Sequence, residues 1–128
     1  MARVLVVEDD PGTRATVAAW LQWMGHQVAS ADSLADALRL IPRISVDPAE
    51  AAEVAVLDIV MPDGSGIDVL QQLRQQPATS QIPAIFLSAS KAESDRVAAR
   101  NLGGHFVTKP VSRSVLQAAV ESALVRYH

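Results

Sequence analysis

The chain is 128 residues long, 49% hydrophobic and 20% charged, with no cysteine and a formal net charge of −3. That length suits a single domain of roughly 100–150 residues, so residues 1–128 are read as one unit. The missing cysteine excludes a disulfide scaffold, a Cys-ligated zinc site and thiol catalysis. The mild acidity, with no like-charge block, argues against direct nucleic-acid binding. No apolar run approaches the roughly 20 residues that span a bilayer. Glu8-Asp9-Asp10 follows the N-terminus too closely for a signal peptide, so a cytoplasmic protein with no membrane contact is expected.

In chain order, Ala2–Val7 (ARVLVV) reads as a buried strand. Asp10 is placed to cap the first helix, with Pro11 at its first position. Val17, Trp20, Leu21 and Met24 form the buried stripe of that helix, and Gly25 ends it. Trp23 lies beside the stripe, as a partly covered surface aromatic. Gln27–Ala29 is a weaker strand. Ser33 and Asp36 open a second helix that should stop before Pro42. Asp47-Pro48-Ala49-Glu50 looks like a short extra turn ahead of the third strand, Val54–Leu57. A third helix, Ile67–Gln76, is halted by Pro77. The strand Ala84–Leu87 precedes a fourth helix, Lys91–Leu102, and Gly103-Gly104 leads to the strand His105–Val107. The last helix begins near Ser112 and sets Val115, Leu116, Ala119 and Val120 on one face. Near-continuous apolar strands alternating with helices predict an α/β doubly wound parallel sheet with right-handed crossovers.

The polar residues fall where such a sheet would use them. Glu8 and Asp9 follow the first strand, Asp58 the third, Ser88 the fourth and Lys109 the fifth. Ligands bind beyond the carboxyl ends of the strands in this architecture, so these positions converge on one mouth. Each alone reads as a cap, a turn or a surface residue, and Asp10 keeps that reading. Four different strands ending in this way is a different matter. Three clustered carboxylates repel one another, and a hard cation such as Mg²⁺ relieves that. A carboxylate is also a competent nucleophile toward phosphorus, giving an aspartyl phosphate. Transfer then needs a cation and a donor on the equatorial oxygens, which Lys109 and Ser88 supply. His26, His105 and His128 are weaker signals, and the first two, at strand starts away from the acids, are read as structural.

With VLVVEDD (4–10), LDIVMPDGSG (57–66), IPAIFLSA (82–89) and FVTKP (106–110) in this order, the chain closely resembles the receiver domain of two-component response regulators. The resemblance implies a flavodoxin-like five-stranded parallel sheet, order 2-1-3-4-5, with helices on both faces. It implies Asp58 as phosphoacceptor and Glu8, Asp9, Asp58 and the backbone carbonyl of Val60 as the Mg²⁺ site. Lys109 would be the phosphoryl-binding lysine, with Pro110 after a cis bond. Ser88 and Phe106 would be the switch pair, and Ala89 the small residue that leaves room for the phosphoryl group. The implied partners are a sensor histidine kinase or phosphotransfer protein, and a downstream protein or fused output domain. Self-phosphorylation and self-dephosphorylation are implied, without turnover of a separate substrate.

The departures from the family pattern are local. Phe106 lacks the hydroxyl of a tyrosine, the stretch Leu102-Gly103-Gly104-His105 is one residue short, and the segment before the third strand is long. The last helix lacks the charge pattern of regulators that dimerise through the fourth helix, fifth strand and fifth helix. Apolar Val60 and small Ser90 flank the reacting group, which predicts a phosphoryl state lasting minutes or longer. The methionine just before the first strand favours a receiver at a natural N-terminus. Two other enzyme-like readings fail on residues. A haloacid-dehalogenase-type phosphatase wants an Asp at position 60, and a flavodoxin wants a Ser/Thr/Gly-rich loop where Glu8-Asp9-Asp10 stands. The remaining alternative is a receiver-like binding module that works without phosphorylation.

Overall fold

A computed structural model describes residues 2–44, 47–89 and 93–127. Five strands, β1 (Arg3–Val7), β2 (Gln27–Ala31), β3 (Val54–Asp58), β4 (Ala84–Ser88) and β5 (His105–Thr108), alternate with five helices. The helices are α1 (Pro11–Trp23), α2 (Leu34–Ile44), α3 (Gly66–Arg74), α4 (Glu93–Asn101) and α5 (Arg113–Tyr127). The strands pair in parallel in the order β2-β1-β3-β4-β5, the doubly wound arrangement expected. The alternation of side chains along each strand divides the core in two. Leu5, Val7, Ala55, Leu57, Ala84 and Phe86 face α2, α3 and α4 through Ala37, Ile41, Val69, Leu70, Leu73 and Ala99. Val4, Val6, Val54, Val56, Ile85, Leu87 and Val107 face α1 and α5 through Val17, Leu21, Leu116, Val120 and Ala123. Burial on both faces is why these strands read as continuous apolar runs.

The ends of α1 follow the sequence. The Asp10 side chain accepts the Thr13 N–H at 2.7 Å, and that bond holds its carboxyl below the usual range. At the other end Gly25 takes a φ of 93°, Gly25 N–H donates to the Gln22 carbonyl, and His26 N–H donates to that of Leu21. These paired bonds close the helix and need a residue that tolerates the left-handed region. Ser112 caps α5 through the Val115 N–H.

Four expectations need correction. Helix α2 does not stop before Pro42 but contains it and runs to Ile44. Pro42 sits in the last turn on the exposed side with Leu38, where water can take up the carbonyl that the ring leaves without a partner. Ile41 is buried and Ile44 packs on the core, which draws the helix past the proline. Helix α3 ends at Arg74, two residues early, and Pro77–Thr79 forms a short 3-10 turn whose Thr79 hydroxyl donates to the Leu73 carbonyl. Val115 is exposed, because the buried stripe of α5 runs through Leu116, Val120 and Ala123. Strand β2 extends to Ala31. The extra turn is present: Asp47 accepts the N–H groups of Ala49 and Glu50. Lys91, expected to open the fourth helix, and Ser90 lie outside the described residues.

Gly66 shows how tightly α3 approaches β3. A Cβ there would strike the Asp58 carbonyl oxygen and lie 2.8 Å from the Leu57 Cβ. Gly66→Ala is expected to cost about 2 kcal/mol, because backbone must give way. An unchanged urea midpoint would show that α3 can shift freely over the end of β3.

Candidate functional site

The carboxyl ends of the strands bring the acids together. Glu8 and Asp9 follow β1, Asp58 is the last residue of β3, and a carboxylate oxygen from each lies within 4.8 Å of the others. Glu8 is fully buried and Asp58 nearly so, whereas Asp9 opens toward solvent. Glu8 is held at several points. Its backbone N–H donates to the Ala31 carbonyl, its carbonyl accepts Arg14 Nη1 at 2.9 Å, and its Oε1 accepts the Asp10 N–H.

Lys109 closes the site from the far side of the sheet. Its Nζ is 2.9 Å from Glu8 Oε1 and 3.4 Å from Asp58 Oδ2, bridging the two buried carboxylates. The Lys109 N–H donates to the Ser88 carbonyl at 2.8 Å, which sets the lysine beside the end of β4. The Lys109–Pro110 bond is cis, as the resemblance implied. Burial lowers the ammonium's proton affinity, but the hydrogen bond to Glu8 and the charges of Asp58 and Glu8 outweigh it, so its pKa lies above the ordinary value. Asp58 moves the opposite way from most paired acids. Burial first, then the Asp9 carboxyl and the charge of Glu8, push its pKa up to about 7, with Lys109 only partly offsetting them.

The buried Glu8 Oε2 has no hydrogen-bond partner among the described residues. A fully buried carboxylate oxygen without a donor is costly. A cation among the three acids removes that cost, so these oxygen ligands fit Mg²⁺ by charge and by type.

The other expected residues are distributed around this centre. Ser88 is buried at the end of β4, and Ala89 beyond it is exposed. The Val60 N–H reaches Asp58 Oδ1 at 3.4 Å, while the residue as a whole is 62% exposed. Phe106 lies two residues before Thr108 at the end of β5, partly buried on the α4 side of the sheet, with the Arg96 guanidinium 5.4 Å from its ring centre. His26 is structural: its Nδ1 accepts the Ala2 N–H at 3.1 Å, and burial, with the nearby chain terminus, holds its pKa low. Trp23 is 66% exposed under the Arg113 guanidinium.

Sequence reasoning missed three supports. Arg14 pins the Glu8 carbonyl, and no pattern marks an arginine six residues away for that role. Asp63, inside the 57–66 motif, caps α2 by accepting the Leu34 and Ala35 N–H groups, a contact across 28–29 residues. Those bonds hold its carboxyl below the usual range. Gly66 alone had a local signal, the small residues of Gly64-Ser65-Gly66 before an apolar run.

A parallel sheet in this order with an acid triad and a bridging lysine at its mouth defines a receiver-type signalling domain. Residues 4–121 match the response regulator receiver domain, and the chain belongs to that family. It is 33% identical over 125 residues to protein PilH of Pseudomonas aeruginosa, covering 97% of this chain and 98% of that protein. It is 35% identical to the KDP operon transcriptional regulatory protein KdpE of Escherichia coli, covering 99% of this chain but 53% of that protein. The chain thus spans about half the length of the KdpE-type regulators it matches. The receiver domain of the Francisella response regulator 1452 superposes with a TM-score of 0.82 at 27% identity, over 100% of both chains. Receiver domains are signalling modules of two-component systems that bind Mg²⁺ in an acidic pocket and work with kinases, phosphotransfer proteins and output domains. No helix among the described residues is long and apolar enough to cross a membrane.

Proposed function

We propose that residues 1–128 act as a single cytoplasmic phosphorylation switch with Asp58 as the phosphoacceptor. The observation that carries this reading is the bridging of buried Glu8 and Asp58 by Lys109, beside a Glu8 oxygen that has no donor among the described residues. The Asp58 carboxylate attacks phosphorus, an O–P bond forms, and the P–N bond of a phosphohistidine donor breaks with release of the imidazole. Lys109 holds the carboxylate in place and presents its ammonium to the incoming phosphoryl oxygens. Ser88 offers a hydroxyl donor to the same oxygens from β4. Glu8, Asp9 and Asp58, with the Val60 carbonyl, would hold Mg²⁺, which supplies positive charge against the phosphoryl group when bound. Water later attacks the phosphorus of the acyl phosphate, the Asp58 O–P bond breaks, and inorganic phosphate leaves as the carboxylate is restored, with no separate substrate turned over.

In this reading the switch couples Ser88 to Phe106. A hydroxyl drawn toward the phosphoryl group leaves space into which the Phe106 ring turns, and the α4–β5 surface changes with it. The chain would then engage a downstream protein or a fused output domain rather than nucleic acid. Intact mass after incubation with acetyl phosphate and Mg²⁺ tests the chemistry. One phosphoryl adduct is expected in the wild type and none in Asp58→Asn or in chelator. A folded wild type that takes no adduct would leave the phosphorylation-independent binding module as the better reading. Decay of that adduct over minutes or longer after donor removal is the expected lifetime, and loss within seconds would contradict the shielding assigned to Val60.

A further inference from the structure

Away from the acid site, a groove of about 360 Å³ is lined by Arg96, Arg100, Gly104, His105, Phe106 and Thr108. That volume falls within the range of small-molecule sites, about 300–1,000 Å³. Every polar side chain in the lining can donate a hydrogen bond, and none is an acid. Arg96 and Arg100 stand one turn apart on α4, where like charges repel, and neither forms an ion pair among the described residues.

Arg96 rests there with one bond unmade. Its guanidinium lies 5.4 Å from the centre of the Phe106 ring, a cation–π distance, and its Nε is buried with no acceptor among the described residues. The ring attracts the charge but leaves that N–H unsatisfied, which is unfavourable for a buried donor. A guanidinium drawn off the ring toward an anion in the groove gains the missing acceptor. The floor of the groove is fixed. A Cβ at Gly104 would lie 2.6 Å from the Phe86 ring, so the turn between α4 and β5 packs directly on the core. Arg74 holds that turn by donating to the Leu102 carbonyl at 2.6 Å while its other nitrogens hold Ile82.

We propose that the groove binds a small phosphate dianion, either free or as the phosphomonoester of a small organic molecule. The donor set selects that class. One guanidinium already satisfies both oxygens of a carboxylate, which would leave the second arginine unpaired. A dianion with three terminal oxygens takes both guanidinium groups at once, with the Thr108 hydroxyl and the His105 ring as further donors. Its two negative charges also match the two arginines and relieve their repulsion. The volume left beside the oxyanion, walled by Phe106 and Gly104, admits a small organic group. The site uses none of Glu8, Asp9, Asp58 and Lys109, so it stands whether or not Asp58 is the phosphoacceptor.

The test is an NMR titration of the unphosphorylated, nitrogen-labelled full chain at about pH 8, where both probes are dianions. Chelator is present throughout, so that the acid site repels anions. Glucose 6-phosphate and inorganic phosphate are added separately, with sodium chloride at matched ionic strength as the control. The Arg96 Nε–H signal should move downfield as it leaves the Phe106 ring and finds an acceptor, and the amides of Glu8, Asp9 and Asp58 should stay in place. Affinity should fall by about tenfold or more in the double variant Arg96→Gln/Arg100→Gln. Arg113→Gln, which alters an arginine outside the groove, should bind as the wild type does. The amide spectrum of each variant checks that it is folded. Tighter binding of the ester assigns the site to an organic phosphate, and equal binding assigns it to free phosphate. Absence of shifts at millimolar anion, shifts reproduced by sodium chloride, shifts centred on the acid site, or indifference to the double substitution would overturn the inference.

Discussion

Replacing Lys109 with methionine is expected to damage both the fold and the chemistry. The ammonium lies 2.9 Å from a fully buried Glu8 and 3.4 Å from Asp58, so its removal strands two carboxylates in the interior. Removing one partner of a buried pair costs about 3–5 kcal/mol, and we expect about 2–3 here because Lys109 is one-fifth exposed. Part of that loss should return on adding Mg²⁺, and most of it in the double variant Lys109→Met/Glu8→Gln, which removes a stranded charge together with its partner. Phosphorylation should fall at least about a hundredfold, the usual effect of removing a fixed donor to a developing oxyanion. Urea unfolding and the rate of adduct formation measure the two effects separately. A variant as stable as the wild type in chelator would mean that no charge is stranded when the ammonium is removed, and the reading of the acid cluster would fail.

The second large effect is a dependence on pH and metal. Asp58 has a pKa of about 7 in the folded chain, well above that of an unfolded aspartate. The folded state therefore binds the extra proton between about pH 4 and pH 7, and stability falls as the pH rises through that window. Without metal, the protein should lose on the order of 2 kcal/mol between pH 5 and pH 8 from this group, and Asp58→Asn should lack that slope. Mg²⁺ competes with the proton, so its apparent affinity should weaken by up to about tenfold per unit below pH 7 and level off above it. Calorimetry in two buffers of different ionisation enthalpy reads the proton released. Affinity unchanged between pH 5.5 and pH 8 would show that Asp58 is already ionised in the metal-free protein.

The two effects have one cause. Three acids at the end of a buried sheet are unfavourable by themselves, and the chain answers with Lys109, which reaches both Glu8 and Asp58. That leaves Glu8 Oε2 without a donor among the described residues and Asp58 short of full ionisation. In the proposed switch, the stability lost in the metal-free site would be available for binding a cation and for holding a phosphoryl group.

Much of this was legible in the chain itself. Apolar runs such as Val4–Val7 and Val54–Leu57 are too hydrophobic for a half-exposed sheet, so a parallel sheet covered on both faces followed from composition alone. Asp10, Pro11 and Gly25 marked the ends of α1 because capping is local chemistry, settled within a few residues. The acids and Lys109 were legible too, because strand ends in this architecture share one mouth. Only the tertiary structure decided what depends on contacts distant in sequence. Helix α2 continues through Pro42 because burial of Ile41 and packing of Ile44 outweigh a lost hydrogen bond at an exposed last turn. Asp63 serves as the cap of a helix 28–29 residues away, and Arg14 and Arg74 hold carbonyls that no spacing rule predicts. The proton affinity of Asp58 belongs to this second group. A residue type sets the ordinary pKa, but burial and the neighbours across the sheet set the actual one, and those exist only once the chain has folded.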